Sequence, residues 1–439
     1  MEALKDKLES SFLVFENELN GAALGEIHNR RKEAFDRFVE TGFPTKRHEE
    51  WKYTNLKPIL KHDYRVFLSD DNSVDFSAIK KYFLSDTDTY KLVFIDGFYS
   101  SWLSETTHDK FDICTFSSML TKYRDVAEKY FNKALPKEEA LASVNTAFAK
   151  EGAFIRIKKN QTADKPVEMI FITTDQGVET MSQPRNLVVV EENAEVSILE
   201  RHQSLSSKPV LTNAATEIFA LRDSRLHYYK IQNDLDTASL IDSTSVKQYA
   251  NSSVTVGTFS LGNKFVRNNL NFFLEEEYTQ SYLDGITIID NGQTVDHHTL
   301  VDHKVPNCYS DELYKGIYDG NAHGVFNGKV MVHPHAQKTN AFQQNNNILL
   351  TDKASIDTKP QLEIYADDVK CSHGCTIGQL DEDAMFYMQS RGIPEKEARA
   401  LLLYAFANDS LRNVKIPALR KKLNRQIAKK LNVNLDFEL

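Results

Sequence analysis

The chain has 439 residues and a mass of 50.2 kDa, with 41% hydrophobic and 26% charged residues, so two or three well-cored structural units are expected. A formal net charge of −9 supplies no global positive field and argues against broad nucleic-acid binding. No apolar run approaches the roughly eighteen residues a membrane span needs, and Glu2, Lys5, Asp6, Lys7, Glu9 and Glu16 interrupt any leader-type stretch at the start, so a cytoplasmic protein without a membrane partner is expected.

The first zone, residues 1–150, reads as helical. Leu4, Leu8, Phe12 and Phe15 recur at helical spacing with charges between them, Ile27, Arg31, Phe35 and Phe38 continue the pattern, and Gly42-Phe43-Pro44 stops it. Leu92-Val93-Phe94-Ile95 before Asp96-Gly97 predicts a small β element inside this zone.

From residue 151 to 381 the pattern changes to short β-rich runs separated by Gly, Asn and Asp. Strand-like segments begin near Ala194, Ser224, Ser252 and Thr279, spaced by 30, 28 and 27 residues, and later ones near Gln293, Ala322, Lys338 and Ala354. A period near 28–30 residues with half-steps near 14–16 predicts a β-solenoid with strands on more than one face, where a sandwich would turn every 8–12 residues. Residues 382–439 return to helix. Gly392-Ile393-Pro394 starts one helix, with Ala398, Leu401, Leu402, Ala405 and Phe406 read as its apolar face. Pro417 opens another, with Leu419, Leu423, Ile427 and Leu431 on one side and Arg420, Lys421, Lys422, Arg425, Lys429 and Lys430 on the other. That basic side is either a solvated face or a surface for an acidic partner.

Nucleotide hydrolysis by the chain itself is not expected. It contains no phosphate-binding G-x-x-x-x-G-K-[ST] loop, and neither a G-x-S-x-G elbow nor an H-E-x-x-H helix is present. The four cysteines, Cys114, Cys308, Cys371 and Cys375, are too few and too scattered for a disulfide framework. The chemically informative stretch is Val369-Lys370-Cys371-Ser372-His373-Gly374-Cys375-Thr376-Ile377-Gly378. In an extended strand Cys371, His373 and Cys375 project from one side, and two thiols with an imidazole suit iron, zinc or sulfane sulfur. A closed structural zinc site needs four ligands, and this segment offers three at most, so an open site completed by a partner is a sensible reading. The other reading makes the cysteines small apolar residues facing the solenoid interior, with His373 alone functional. His297, His298, His303, His323, His333 and His335 are too irregularly spaced for a metal site and are read as structural or surface histidines; Cys114 and Cys308 are read as core.

These residues carry a family resemblance. The run Gln343-Gln344-Asn345-Asn346-Asn347-Ile348-Leu349-Leu350, then Asp357 to Gly374, closely resembles the SufB/SufD family, as do Leu313-Tyr314-Lys315-Gly316-Ile317, Gly324-Val325-Phe326-Asn327-Gly328 and Phe386 to Ile393. Glu49-Glu50-Trp51-Lys52-Tyr53-Thr54 is similar to the family's amino-terminal motif. Within the family the chain resembles the SufD branch. SufB-like chains carry a sulfur-accepting cysteine in the segment that here reads Asp352-Lys353-Ala354-Ser355, and a glutamate where this chain has Gly374.

The resemblance implies a right-handed parallel β-helix core between two α-helical domains, in a mainly β chain. It further implies a non-catalytic scaffold for iron–sulfur cluster assembly that pairs with a SufB-like paralogue; pairing of the isolated chain with a second copy of itself stays open. It implies recruitment of a SufC-like ABC ATPase through the C-terminal helices. By the same resemblance His373 would meet a transient iron–sulfur cluster or iron at the partner interface; from the strand reading Cys371 is taken with it as cofactor-binding, and His373, Cys371 and Cys375 are the candidate metal ligands. A partner-independent zinc-binding structural protein and a β-helix polysaccharide-active enzyme with paired carboxylates are the alternatives.

Overall fold

The structure, a computed structural model, describes residues 1–19, 25–68, 74–106, 108 and 110–433. Helices α1 (Glu2–Glu18) and α2 (Glu26–Thr41) open the chain, and α1 buries the four residues its spacing predicts, Leu4, Leu8, Phe12 and Phe15. Short helices α3 (Lys57–Leu60) and α4 (Phe76–Ile79) lead to strands β1 (Tyr90–Ile95), β2 (Phe98–Tyr99) and β3 (Phe111–Thr115), and then to α5 (Phe116–Lys122), α6 (Arg124–Tyr130) and α7 (Ala140–Ala147). The predicted β element at Leu92–Ile95 lies in β1, which pairs in parallel with a strand some 75 residues later and so belongs to the solenoid sheets.

The solenoid strands are β4 (Ala153–Ile157), β5 (Val167–Thr173), β6 (Thr180–Ser182), β7 (Arg185–Val190), β8 (Glu195–Ser204), β9 (Val210–Ala220) and β10 (Arg225–Gln232). They continue as β11 (Ala238–Gln248), β12 (Ser253–Ser260), β13 (Phe265–Leu274), β14 (Gln280–Ile289), β15 (Thr294–His303) and β16 (Tyr309–Tyr318). The last are β17 (His323–Val332), β18 (Asn340–Leu349), β19 (Ser355–Ile364) and β20 (Lys370–Gly378). Strands go alternately to two sheets: the first runs β2-β1-β5-β8-β10-β12-β14-β16-β18-β20 and the second β3-β4-β7-β9-β11-β13-β15-β17-β19. Except for β1–β2 and β3–β4 every pairing is parallel, so the chain is a parallel β-helix.

One backbone device repeats at its corners. Asn193, Asp223, Asn251, Tyr278, Asn307 and Lys338 have φ of 55–63° and each lies two residues before a strand of the first sheet. Asn and Asp tolerate this left-handed conformation because their short side chains bond locally. Here Asn251 also donates to Asp223 on the preceding rung at 3.0 Å. The spacing of these residues is the period of the fold.

The two outer faces are covered by helices from opposite ends of the chain. Leu8, Phe12, Phe38 and Trp51 pack with Leu211, Ile241 and Phe265 on the second sheet. Helices α8 (Glu382–Ser390), α9 (Glu395–Asn408) and α10 (Pro417–Lys430) follow the solenoid, and α9 and α10 cover the first sheet through Leu403, Tyr404, Leu419, Leu423 and Ile427 over Tyr229, Phe259 and Ile288. Each such fully buried aliphatic residue contributes about 1.5–3 kcal/mol. Part of the basic face of α10 is structural: Lys422 Nζ donates to the carbonyls of Lys81, Tyr82 and Phe83, and burial lowers its pKa to about 8.

The Glu49–Thr54 motif is a strap across the second sheet. Trp51 lies under the Arg267 guanidinium at 4.1 Å, Thr54 bonds Asp296, Glu50 bonds His298 at 3.1 Å and Asn327 at 3.2 Å, and Glu49 pairs with Lys359 on β19. Arg267 closes the set with Asp296 at 2.6 Å. These residues lie on β13, β15, β17 and β19, so the motif holds successive rungs in register and carries no open chemistry.

Candidate functional site

Alternation in β18 decides which residues face the lumen. Ala341, Gln343, Asn345 and Asn347 are buried, and between them Phe342 and Asn346 are half-buried and Gln344 exposed. The parallel register places Cys371 on Ala341, His373 on Gln343, Cys375 on Asn345 and Ile377 on Asn347, so the three sequence-predicted site residues share the lumen face of β20. Ser372, Gly374 and Thr376 alternate with them along the strand, and an open cleft at this edge is lined by His373 and Cys375 as well as by Ser372, Thr376, Asp311 and Arg412.

In both sheets the last strand is the end of the order: β20 closes the first and β19 the second, and neither has a further strand among the described residues. His373 and Cys375 are exposed as a result. Cys371 is half-buried against Val330, Val332, Ala336, Ala341 and Ala366, and burial pushes its thiol pKa up. Its surroundings are those of a small apolar residue at the end of the core. His373 makes no hydrogen bond within the described residues.

Successive same-face residues on a strand are about 6.6 Å apart, so Cys371, His373 and Cys375 share a face without converging on one point. Among the described residues, only Glu200, His202 and Asp242 form a group of three with ligand atoms within 4.8 Å of one another. That cluster lies deep in the lumen, and sequence reading missed it. Its pattern was visible as Glu200 and His202 on alternate positions of β8, but Asp242 comes from the opposite sheet. His202 bonds Glu200 at 2.9 Å, Tyr228 donates to Glu200 at 2.6 Å, and Lys230 Nζ bonds Thr244 and, at 2.5 Å, Asp242. A lysine ammonium therefore already holds the place a cation would take.

Of the other histidines singled out, His335 is exposed at the surface and the rest have structural partners. His297 is buried between Asn268 at 3.2 Å and Thr287 at 2.9 Å, and burial lowers its pKa to about 4. His303 is buried against Ser310 at 2.9 Å and lowered to about 3 for the same reason. His298 faces the opposite way, as its neighbour must, and belongs to the strap. His323 bonds Ser355 and His333 bonds Asp302. Cys114 is half-buried with its thiol raised to about 12, and Cys308 is buried.

Below His373 the lumen is polar. Gln343 Nε2 donates to Glu312 Oε2 at 2.7 Å, and Asn347 Nδ2 donates to Asn345 Oδ1 at 2.7 Å. Glu312 is fully enclosed, and burial raises its pKa to about 7. Gly328 on the facing sheet makes room for this group: a Cβ there would lie 2.4 Å from Gln343 Nε2.

Comparison with known proteins now decides the family. The family model "SUF system FeS cluster assembly, SufBD core domain" matches residues 171–406, and "SufBD protein N-terminal region" matches residues 3–169. The chain belongs to the SufBD family. It is 33% identical over 410 residues to an iron–sulfur cluster assembly SufBD family protein of Synechocystis, covering 91% of this chain and 90% of the relative. It is 28% identical to the iron–sulfur cluster assembly protein SufD of Escherichia coli over 90% of both chains, and 26% identical to SufD of Bacillus subtilis over 75% of this chain and 76% of that one. The SufBD core match begins in β5 and ends in α9, so it takes in the lumen and the exposed rim strand together. In this SufBD protein the corner before β19 carries Ala354, buried against Tyr318 and Val295, and has no thiol to offer there.

The C-terminal helices differ in detail from the sequence reading. In α9 the buried residues are Ala398, Ala400, Leu403, Tyr404 and Ala407, while Leu401 and Ala405 point outward. The run Ala400–Ala407 is apolar almost throughout, so the pattern alone does not select a face. Phe406 is half-buried, with Lys315 Nζ 4.5 Å from its ring. The most exposed apolar side chains are on α8, which fully buries none of its residues and leaves Phe386 72% and Tyr387 60% exposed, while Leu401 on α9 is 39% exposed. No helix of the described residues is long and apolar enough to cross a membrane.

Proposed function

We propose that this SufBD protein is a non-catalytic scaffold subunit that pairs with a SufB-like paralogue through the rim of its β-helix and recruits a SufC-like ATPase through its C-terminal helices. The observation that carries this reading is the pair of unpartnered edge strands, β19 and β20, with His373 and Cys371 on the lumen face of the second. Exposed strand edges invite pairing with another chain, and proteins that stay alone usually blunt them. Three groups too far apart to close a site alone become useful when a partner strand brings further ligands. Iron or a nascent cluster is the cargo of that shared rim, held by His373 with Cys371 and Cys375 as lesser contributors. Relatives named for iron–sulfur cluster assembly match 91% and 90% of the chain, which supports cluster assembly as the setting.

For the ATPase, Phe386 and Tyr387 on α8 are the anchors, since α9 spends most of its apolar side on the first sheet. The test is co-expression with a SufB-like and a SufC-like chain, followed by affinity capture. Phe386→Asp with Tyr387→Asp is expected to lose the ATPase and keep the paralogue. Capture of both at wild-type yield would overturn the α8 assignment, and failure to capture any paralogue with the wild-type chain would overturn the scaffold reading.

A further inference from the structure

The lumen beneath the rim holds one further pairing that the cargo site above does not by itself require. Gln343 lies directly under His373 in the parallel register. Its amide nitrogen is committed to Glu312 at 2.7 Å, while its amide oxygen is buried and without a hydrogen-bond partner. A buried amide oxygen left unpaired is costly, so its retention calls for a donor beside it. Gly328 leaves space for this amide at the centre of the lumen, and only a glycine does so. The side chain stacked on Gln343 in the next rung is the His373 imidazole, which has an N–H to give.

Building on the reading of His373 as the rim ligand, we infer that Gln343 and Glu312 are positioning residues: Gln343 Oε1 accepts the N–H of one His373 ring nitrogen, and Glu312 fixes the amide so that its oxygen faces the rim. The other ring nitrogen then keeps its lone pair and points out of the lumen, where iron or a cluster would be met. Histidines that ligate metals usually hold their second nitrogen to a carbonyl or carboxylate in this way, which sets the tautomer and ring direction. Glu312 does its part best when ionised, because a carboxylate can only accept and so dictates which end of the amide turns toward it.

The test reads the His373 tautomer by ring nitrogen NMR on full-length, nitrogen-15 histidine-labelled protein at pH 8. The His373 signals are those lost in His373→Ala. Wild type is expected to show one tautomer. Gln343→Leu should shift the ring to the mixture of free imidazole, and Glu312→Gln should give an intermediate position, since a neutral amide no longer dictates the orientation of Gln343. A free-imidazole mixture in wild type, or a single tautomer that survives Gln343→Leu, overturns the inference; the wild-type spectrum alone decides if the Leu variant fails to fold. Cluster yield of the His373→Ala complex separates the two readings. A fixed tautomer with normal yield from His373→Ala would refute the ligand role and leave the Gln343 hydrogen bond standing. A mixed tautomer with lost yield would do the reverse.

Discussion

Two polar clusters share one lumen, and they differ in how their charges are compensated. Around Glu200, His202, Lys230 and Asp242 the charges come in both signs and are bonded to one another deep in the solenoid. Around Glu312, Gln343 and His373 there is one carboxyl, no cation, and buried oxygens on Glu312 and Gln343 that lack partners. By residue type the first looks more like a metal centre than the second does. In the structure the first supplies its own cation, whereas the second has none and opens on a sheet edge. The pairing and accessibility of the charged groups distinguish the two networks better than the identity of their side chains.

The largest effect expected from this contrast is on stability at the first cluster. Lys230→Met removes the ammonium and leaves Asp242 and Glu200 buried with reduced compensation, which should cost about 3–5 kcal/mol. Urea denaturation measures this directly, and a loss below about 1 kcal/mol would mean that Lys230 is not the cation that balances the cluster. Adding Asp242→Asn to that variant should recover part of the loss.

A smaller and pH-dependent effect belongs to Glu312. Its folded pKa of about 7 lies above the ordinary carboxyl value, so the native state holds a proton the unfolded chain has released. The stability this group contributes is therefore complete at low pH and is lost as pH rises through about 7. Asp234, raised to about 7, and Asp284, raised to about 6, act with the same sign. Glu312→Gln should remove one proton's share, a slope of up to about 1.4 kcal/mol per pH unit. Melting temperatures of variant and wild type should thus draw apart in the variant's favour between pH 5 and 8. A constant difference across that range would show that Glu312 does not titrate there.

Much of the fold was legible because its period is written in corner residues. The strand starts expected near Ala194, Ser224, Ser252 and Thr279 fall one residue before β8, β10, β12 and β14. The strands missed between them, β9, β11 and β13, are built from stretches such as Asp242-Ser243-Thr244-Ser245, where polar residues face both ways and no apolar alternation survives. A polar lumen hides its strands from periodicity. The site was legible only as a face: alternation put Cys371, His373 and Cys375 together, but the neighbours that give His373 its setting, Gln343 and Glu312, lie 30 and 61 residues earlier and meet it through the register of the solenoid. The face of α9 that packs on the solenoid differs from the expected apolar face for a related reason, since an almost continuous apolar run has no phase.

The smallest stability effect is expected at the rim itself, and it tests the comparison most sharply. His373 is exposed on a terminal strand, and its truncation opens Gln343 Oε1 to water that takes the place of the imidazole N–H, so His373→Ala should change stability by no more than about 0.5 kcal/mol. Cys375→Ala removes an exposed thiol and should be similarly quiet, whereas Cys371→Ala takes a sulfur from a small apolar cluster and should cost more than either. Cluster yield in the assembled complex should rank differently, with His373→Ala lowest, Cys371→Ala intermediate and Cys375→Ala closest to wild type. Measured on the same three proteins, the two orders must not coincide if the rim is a working site. Should yield simply follow melting temperature, the rim residues act through folding alone, and the unsatisfied end of the lumen would be as structural as the ion-paired one.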